Sequence, residues 1–317
     1  MGSKGTFKQN GIPIRTQTVT RGNSFYVCNA TAVSADRTGV NDAGSGYGSI
    51  SAPFSTIDYA INQCVASQGD EIHVLQGHNE AITTASITAD IAGISIIGHG
   101  HGSMRPRIDF THADGKVVVS AANVLIKNIN FHANVTIVTI GLDIQAGGDN
   151  CNVENCLFDV ETTTTDEFLI TINRGVVTGG GIYNCVIDMG LGGAAHGIKL
   201  VGANTGCDIV GNVIKGDYST ACIGGITTLS TEVLIKDNIL MNGGPGNIGA
   251  VACVVMLTGT TGYVVNNHTF CNVATIRAHY TADTMFFSGN RASEDVGDGA
   301  DSIITGDAVS VVATADD

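Results

Sequence analysis

The sequence predicts an all-β chain wound as a single right-handed parallel β-helix, with a short capping α-helix at its N-terminal end. Three observations predict it. Glycine is abundant (42) and proline rare (4), as in a chain of many short strands joined by tight turns. Apolar and polar residues alternate with period two through the middle of the chain, where nothing has a helical period. A six-residue motif also recurs: apolar, any, Asn/Asp/Gly, often Asn or Cys, any, apolar. It reads IKNINF from Ile126, VENCLF from Val153, IYNCVI from Ile182, IVGNVI from Ile209 and IKDNIL from Ile235, at spacings of 27, 29, 27 and 26 residues. Looser copies read VNNHTF from Val265 and FSGNRA from Phe287.

Each unit is two or three short strands and cannot bury its apolar face alone. Stacked on its neighbours, at the ~4.8 Å spacing of paired strands, it can. The elements then follow in order. Residues 1–24 form an extended arm with Lys4, Lys8, Arg15 and Arg21 and no acid. Residues 25–290 form the solenoid. Its capping helix is expected at about 56–67, with Ser55 as N-cap and an apolar stripe of Ile57, Ala60, Ile61, Cys64 and Val65; Gly69 ends it. IIGHGHGSMRPRI at 96–108 turns a corner on its glycines. His99 and His101 there are half of a metal site in spacing only, since zinc needs further ligands from neighbouring coils. Residues 291–317 carry seven acids and one Arg and form a final cap or tail.

In register, Cys156 lies over Cys185 and Asn212 over Asn238, a core ladder in which stacked amides hydrogen-bond to one another. The nine cysteines include no CxxC pair, so they read as buried free thiols rather than zinc ligands or disulfides. The residue after each motif makes a second column: His132, Asp159, Asp188 and Lys215. Two adjacent carboxylates could share a proton or bind Ca²⁺; the plain alternative is a solvated ladder whose His and Lys offset the acids.

The stretch FYVCNATAV…NDAGSGYGSISAPFSTIDYAINQC…GDEIHVLQGHNEAI, with ITADIAGISIIGHGHGSMRPRI after it, resembles the opening module of the pectate-lyase-like superfamily of parallel β-helix proteins. The resemblance runs from residue 25 to about 290 and implies the fold. It leaves function open, because the group holds lyases, hydrolases, epimerases and non-enzymatic viral proteins. This version is most similar to those of tailed-bacteriophage particles. Polygalacturonase-like enzymes resemble one another in NTD, DD, GHG and RIK motifs. Here NTD is missing, the sole DD is Asp316–Asp317, and AHGIKL at 195–200 fuses fragments of the last two on one strand.

Charge narrows the function. The net charge is −14, and outside the arm 11 basic residues face 29 acidic ones. Such a body repels nucleic acid and anionic membranes. No apolar run is long enough to cross a bilayer, the chain opens without the apolar core of an export signal, and no phosphate-binding Gly-rich loop or cofactor motif is present. The reading is a non-enzymatic virion component, a capsid decoration or cement protein. It would be made in the host cytoplasm, assemble as a homotrimer, and bind the major capsid protein or another virion protein through its basic arm. The alternative is a tail-spike or fibre-like protein that binds or depolymerises a host glycan.

Overall fold

A computed structural model describes residues 22–29, 48–84, 86–161, 166–190, 192–243, 252–271, 280–281 and 284–294, together with the backbone of a small antiparallel pair, Lys8–Gln9 with Ile12–Pro13. Lys4, Arg15, Arg21 and residues 295–317 lie outside the described residues. The body is a parallel β-solenoid. Successive strands fall in turn into three parallel sheets of ten, nine and eight strands. Each strand therefore pairs with its counterparts one coil below and one coil above.

The motif marks the corner between the first and second sheets. Its first residue points inward from the first sheet: Ile126, Val153, Ile182, Ile209 and Ile235 stack in one column and are buried. Its third residue turns the chain in a left-handed conformation, with φ of 57° at Asn128, 51° at Asn155, 52° at Asn184, 71° at Gly211 and 54° at Asp237. Asn, Asp and Gly are the residues that tolerate this region. The sixth residue points inward from the second sheet: Phe131, Phe158, Ile187, Ile214 and Leu240. Phe131 and Phe158 stack with centroids 4.5 Å apart. The copy expected from Val265 sits one residue earlier. Val264 pairs with Ile235 and is fully buried, while Val265 pairs with Lys236 on the outer face. Two adjacent valines hid the register, because only one can face inward.

The fourth residue also turns inward. Ile129, Cys156, Cys185, Asn212, Asn238, Asn267 and Asn290 immediately precede second-sheet strands that pair in register. The Asn238 amide donates to Asn267 Oδ1 (2.9 Å) and to the Ile209 carbonyl (2.9 Å). Its Oδ1 accepts from the backbone N–H (2.9 Å) and side-chain amide (3.0 Å) of Asn212. Asn267 repeats the pattern on Asn290 and the Ile235 carbonyl. At Cys185 and Cys156 the thiols take over the contact to the first-sheet carbonyls of Val153 (3.6 Å) and Ile126 (3.8 Å). The eight cysteines with described surroundings are free and buried.

The capping helix is shorter than the sequence predicts. It runs Ile57–Ile61, and Thr56, not Ser55, caps it by accepting from the Tyr59 N–H. The chain leaves the helix at Asn62 because the next turns close three residues back, Gln63 onto Ala60 and Cys64 onto Ile61. The Val65 N–H is then drawn to the buried carboxylate of Asp70 (2.7 Å). Ile57, Ala60, Ile61 and Cys64 are buried, but Val65 is 47% exposed. Glu80 Oε2, from the first coil, accepts the Ile57 N–H (2.9 Å) and pairs with the buried His78, which ties the cap to the solenoid. At the other end, pairing extends through Arg291–Glu294.

Asn238→Ala should be among the most destabilising single changes. It takes the acceptor from the Asn212 backbone N–H and from one of its side-chain N–H groups, and a donor from the Ile209 carbonyl, at about 1–3 kcal/mol for each buried group left unpaired. A drop in urea midpoint at unchanged m-value measures this; a midpoint within error of wild type would show the ladder to be dispensable.

Candidate functional site

The lateral column stands on the outer face of the second sheet and is longer than the sequence suggests. Asp109, His132 and Asp159 pair in register, as do Asp188 and Lys215. Strand alternation places Arg107, Asn130 and Glu161 on the same face, two residues away. These groups meet as a chain of short contacts. The Arg107 guanidinium forks onto Asp109 (2.8 and 2.9 Å). His132 lies between two carboxylates, with Nδ1 2.7 Å from Asp159 and Nε2 2.9 Å from Glu161. The Asn130 amide donates to the second Asp159 oxygen (3.3 Å), and Lys215 Nζ is 2.7 Å from Asp188. So His132 is brought to Asp159, and Asp188 to Lys215. The two acids are held by different partners rather than by each other.

This arrangement sets the protonation of His132. Burial disfavours the imidazolium, but the hydrogen bonds to Asp159 and Glu161 and the Asp159 charge outweigh burial and raise its pKa above 6.5. In the protonated form both nitrogens donate, and the stripe then sets three cations against four carboxylates. Sequence reasoning missed Arg107 and Asp109, because the coil before Ile126 lacks the motif that carried the register, and it missed Glu161, which lies two residues beyond Asp159 on the same face. The alternation Arg107-Ile108-Asp109 was the available signal.

The first corner behaves differently from an HxH site. His99 pairs with His73 of the preceding coil (Nε2 to Nδ1, 3.0 Å), not with His101, and Tyr26 stacks on His73. Burial and the neighbouring His73 lower the His99 pKa. Among the described residues no group of three or more His, Cys, Asp or Glu is placed to hold a metal ion, so His99 and His101 gain no further ligands there.

Two buried titratable groups lie away from the stripe, near the third sheet. Burial raises the Glu167 carboxyl to about 7, and its Oε2 has no hydrogen-bond partner. It is tucked under Gly192, where a Cβ would come within 2.9 Å of that oxygen. His196 has neither nitrogen hydrogen-bonded; burial, and then the Lys199 charge, lower its pKa to about 4. Both residues are almost wholly closed to solvent, so neither presents an acid or base to a polymer on the surface.

Against known proteins, no family model matches the chain and no curated sequence is similar to it. A solved rhamnogalacturonan lyase superposes with a TM-score of 0.57 at 17% identity, over 79% of this chain and 69% of that one. The two chains share a parallel β-helix fold. The likeness is one of fold, and the residues of the stripe have to speak for the site.

Two pH effects follow. His132 has a raised folded-state pKa, so the stability it contributes is fully present below about pH 6.5 and is lost as pH rises through the folded value. The difference in Tm between wild type and His132→Gln should be largest near pH 5–6 and shrink at higher pH; a gap that widens toward pH 9 would contradict it. Glu167 stays protonated in the fold while the unfolded chain ionises from about 4.5, so stability falls as pH rises between about 4.5 and about 7. Glu167→Gln should match wild type at pH 4 and melt higher at pH 8. Calorimetry across that range measures both.

Proposed function

We propose that the protein is a glycan-binding β-solenoid that holds an extended polysaccharide along the outer face of its second sheet without cleaving it. The observation that carries this is the stripe from Arg107 to Lys215. Its hydrogen-bonding groups recur coil by coil at the ~4.8 Å spacing of paired strands, and each of its four carboxylates faces a basic side chain, His132 serving two of them. A polymer lying along the solenoid axis would meet such groups at each step. The solved structure of similar fold is by its name a polysaccharide lyase, which supports a glycan as the class of ligand. A chain of net charge −14, with its four arm cations outside the acidic body, favours a neutral glycan over an acidic one.

Binding fits better than cleavage because of how the acids are held. General acid or base catalysis needs a group free to exchange a proton with the scissile bond. In the stripe Asp109, Asp159, Glu161 and Asp188 are all in ion pairs, and both His132 nitrogens are occupied. No cofactor enters this reading.

The uneven charge of the chain supports a setting for such a binder. The basic arm, Lys4, Lys8, Arg15 and Arg21, opposes the acidic body and would dock a trimeric solenoid on a capsid or other virion protein, at the virion surface. Deletion of residues 2–24 should abolish particle binding in this setting.

The glycan reading is tested by affinity electrophoresis in gels cast with neutral or uronic-acid polysaccharides, beside an assay for reducing and unsaturated ends. Retardation by a neutral polysaccharide, weakened about tenfold by Asp159→Asn or Asp188→Asn, with no product released, is expected. Release of product that either variant abolishes would make the protein a depolymerase. Absence of any retardation would overturn the reading.

A further inference from the structure

We propose a second sugar-binding subsite on the first sheet, built by Tyr263 and Phe286 and addressed to a neutral hexopyranose. It goes beyond the stripe, which lies on a different sheet. Tyr263 and Phe286 are 23 residues apart in sequence, but their strands pair in register, so the two rings sit on adjacent coils of the outer face. They are 56% and 61% exposed, their centroids are 5.8 Å apart and their planes meet at 66°. Edge to face, they form a notch with one ring as floor and the other as wall. The notch opens into a pocket of about 400 Å³ shared with Glu232, Thr261, Gly262 and Thr284. That volume lies within the range of small-ligand sites.

The chemistry of the notch selects the ligand. An aromatic face offers an apolar, weakly negative surface suited to the C–H face of a pyranose ring. The sugar's hydroxyls then need partners at the rim. Thr261 Oγ1 accepts the Glu232 N–H (3.4 Å), which leaves its own O–H to donate. The Glu232 carboxylate makes no ion pair among the described residues. As an acceptor it suits hydroxyl groups and repels a uronic acid. Thr284 is already engaged with Thr260 and Gly259 and fixes the pocket edge.

Glu232 itself is the second indication. It stands at a corner where preceding coils place Asn123, Asn150, Gly179 and Gly206, all with φ between 55° and 67°. At φ 57° Glu232 adopts the same left-handed conformation, which a long side chain disfavours and Asn or Gly tolerates. Among the described residues no hydrogen bond to its carboxylate compensates. Elsewhere the outer face of this sheet is self-satisfied: Lys127 pairs with Glu154 (2.9 Å), and the Tyr183 hydroxyl donates to Asp208 (3.0 Å). The Tyr263–Phe286 notch combines exposed rings with an unengaged carboxylate.

Saturation-transfer NMR on the full chain tests this, with methyl glycosides of glucose, galactose, mannose and N-acetylglucosamine as probes and methyl galacturonate as the acidic counterpart. At least one neutral glycoside should receive saturation on one ring face. Tyr263→Ala and Phe286→Ala should each weaken its affinity about tenfold, Tyr263→Phe should keep it, and galacturonate should stay dark. Both side chains are exposed, so an unchanged Tm confirms that the variants fold. Lys127→Ala, on the outer face of the same sheet and outside both the notch and the stripe, should leave the signal intact. Signal that survives the Tyr263→Ala/Phe286→Ala pair but falls with Asp188→Asn would place all sugar binding on the stripe and overturn this subsite. So would equal saturation of galacturonate, or no saturation of any neutral probe.

Discussion

One corner holds the solenoid together. From Asn128 to Gly289, at each boundary between the first and second sheets a single left-handed residue reverses the side-chain alternation, and the next side chain points inward when a strand pattern would send it out. From the Cys156 coil onward that inward residue is polar enough to reach a first-sheet carbonyl and small enough to stack on its counterparts. Asparagine meets both demands from Asn212 to Asn290, where each amide joins the coil below to the coil above. Cysteine meets them less strongly at Cys156 and Cys185, through longer sulfur contacts. Asparagine at the core of an apolar column would be costly alone. In this column its hydrogen-bonding groups are supplied by the neighbouring coils, so the cost of burial is met only when the stack is complete.

That constraint fixes everything displayed on the outside. Once the corner sets the register, residues at equal distances from it form straight columns, whatever their sequence separation. His132 meets Asp159 across 27 residues, and Tyr263 meets Phe286 across 23. The outer faces become lattices of groups spaced by the strand repeat. An extended polymer along the axis is the kind of partner that such a lattice can match, and a discrete notch such as that at Tyr263 can anchor one ring of it.

Away from the corner the interior is less uniform. Arg174 takes an inward position between Ile144 and Leu200 and is fully buried. Its guanidinium donates to Asn204 (2.8 Å) and to the Gly179 carbonyl. The thiols of Cys151 and Cys207 remain protonated nearby, since burial raises both above their ordinary value, Cys151 to about 12, and outweighs the pull of the Arg174 charge. Glu167 is likewise buried in its uncharged form below about pH 7, and His196 above about pH 4. The third sheet thus carries polar groups that the period-two pattern alone reads as apolar positions.

The sequence by itself determined the repeat, its period and the residues at the corner, because Asn, Asp and Gly there answer a local backbone demand that neighbours in the chain can reveal. It also placed His132, Asp159, Asp188 and Lys215 in one column, since counting from a regular corner is enough. Only the tertiary structure decided who pairs with whom. The coil of Arg107 and Asp109 lacks the motif, so its register came from pairing. The helix stopped at Ile61 because Asp70, five residues beyond Val65, drew the chain away. The Tyr263–Phe286 notch depended on Val264, not Val265, facing inward. In each case the deciding contact comes from a different turn or coil, and a local pattern carries no record of it.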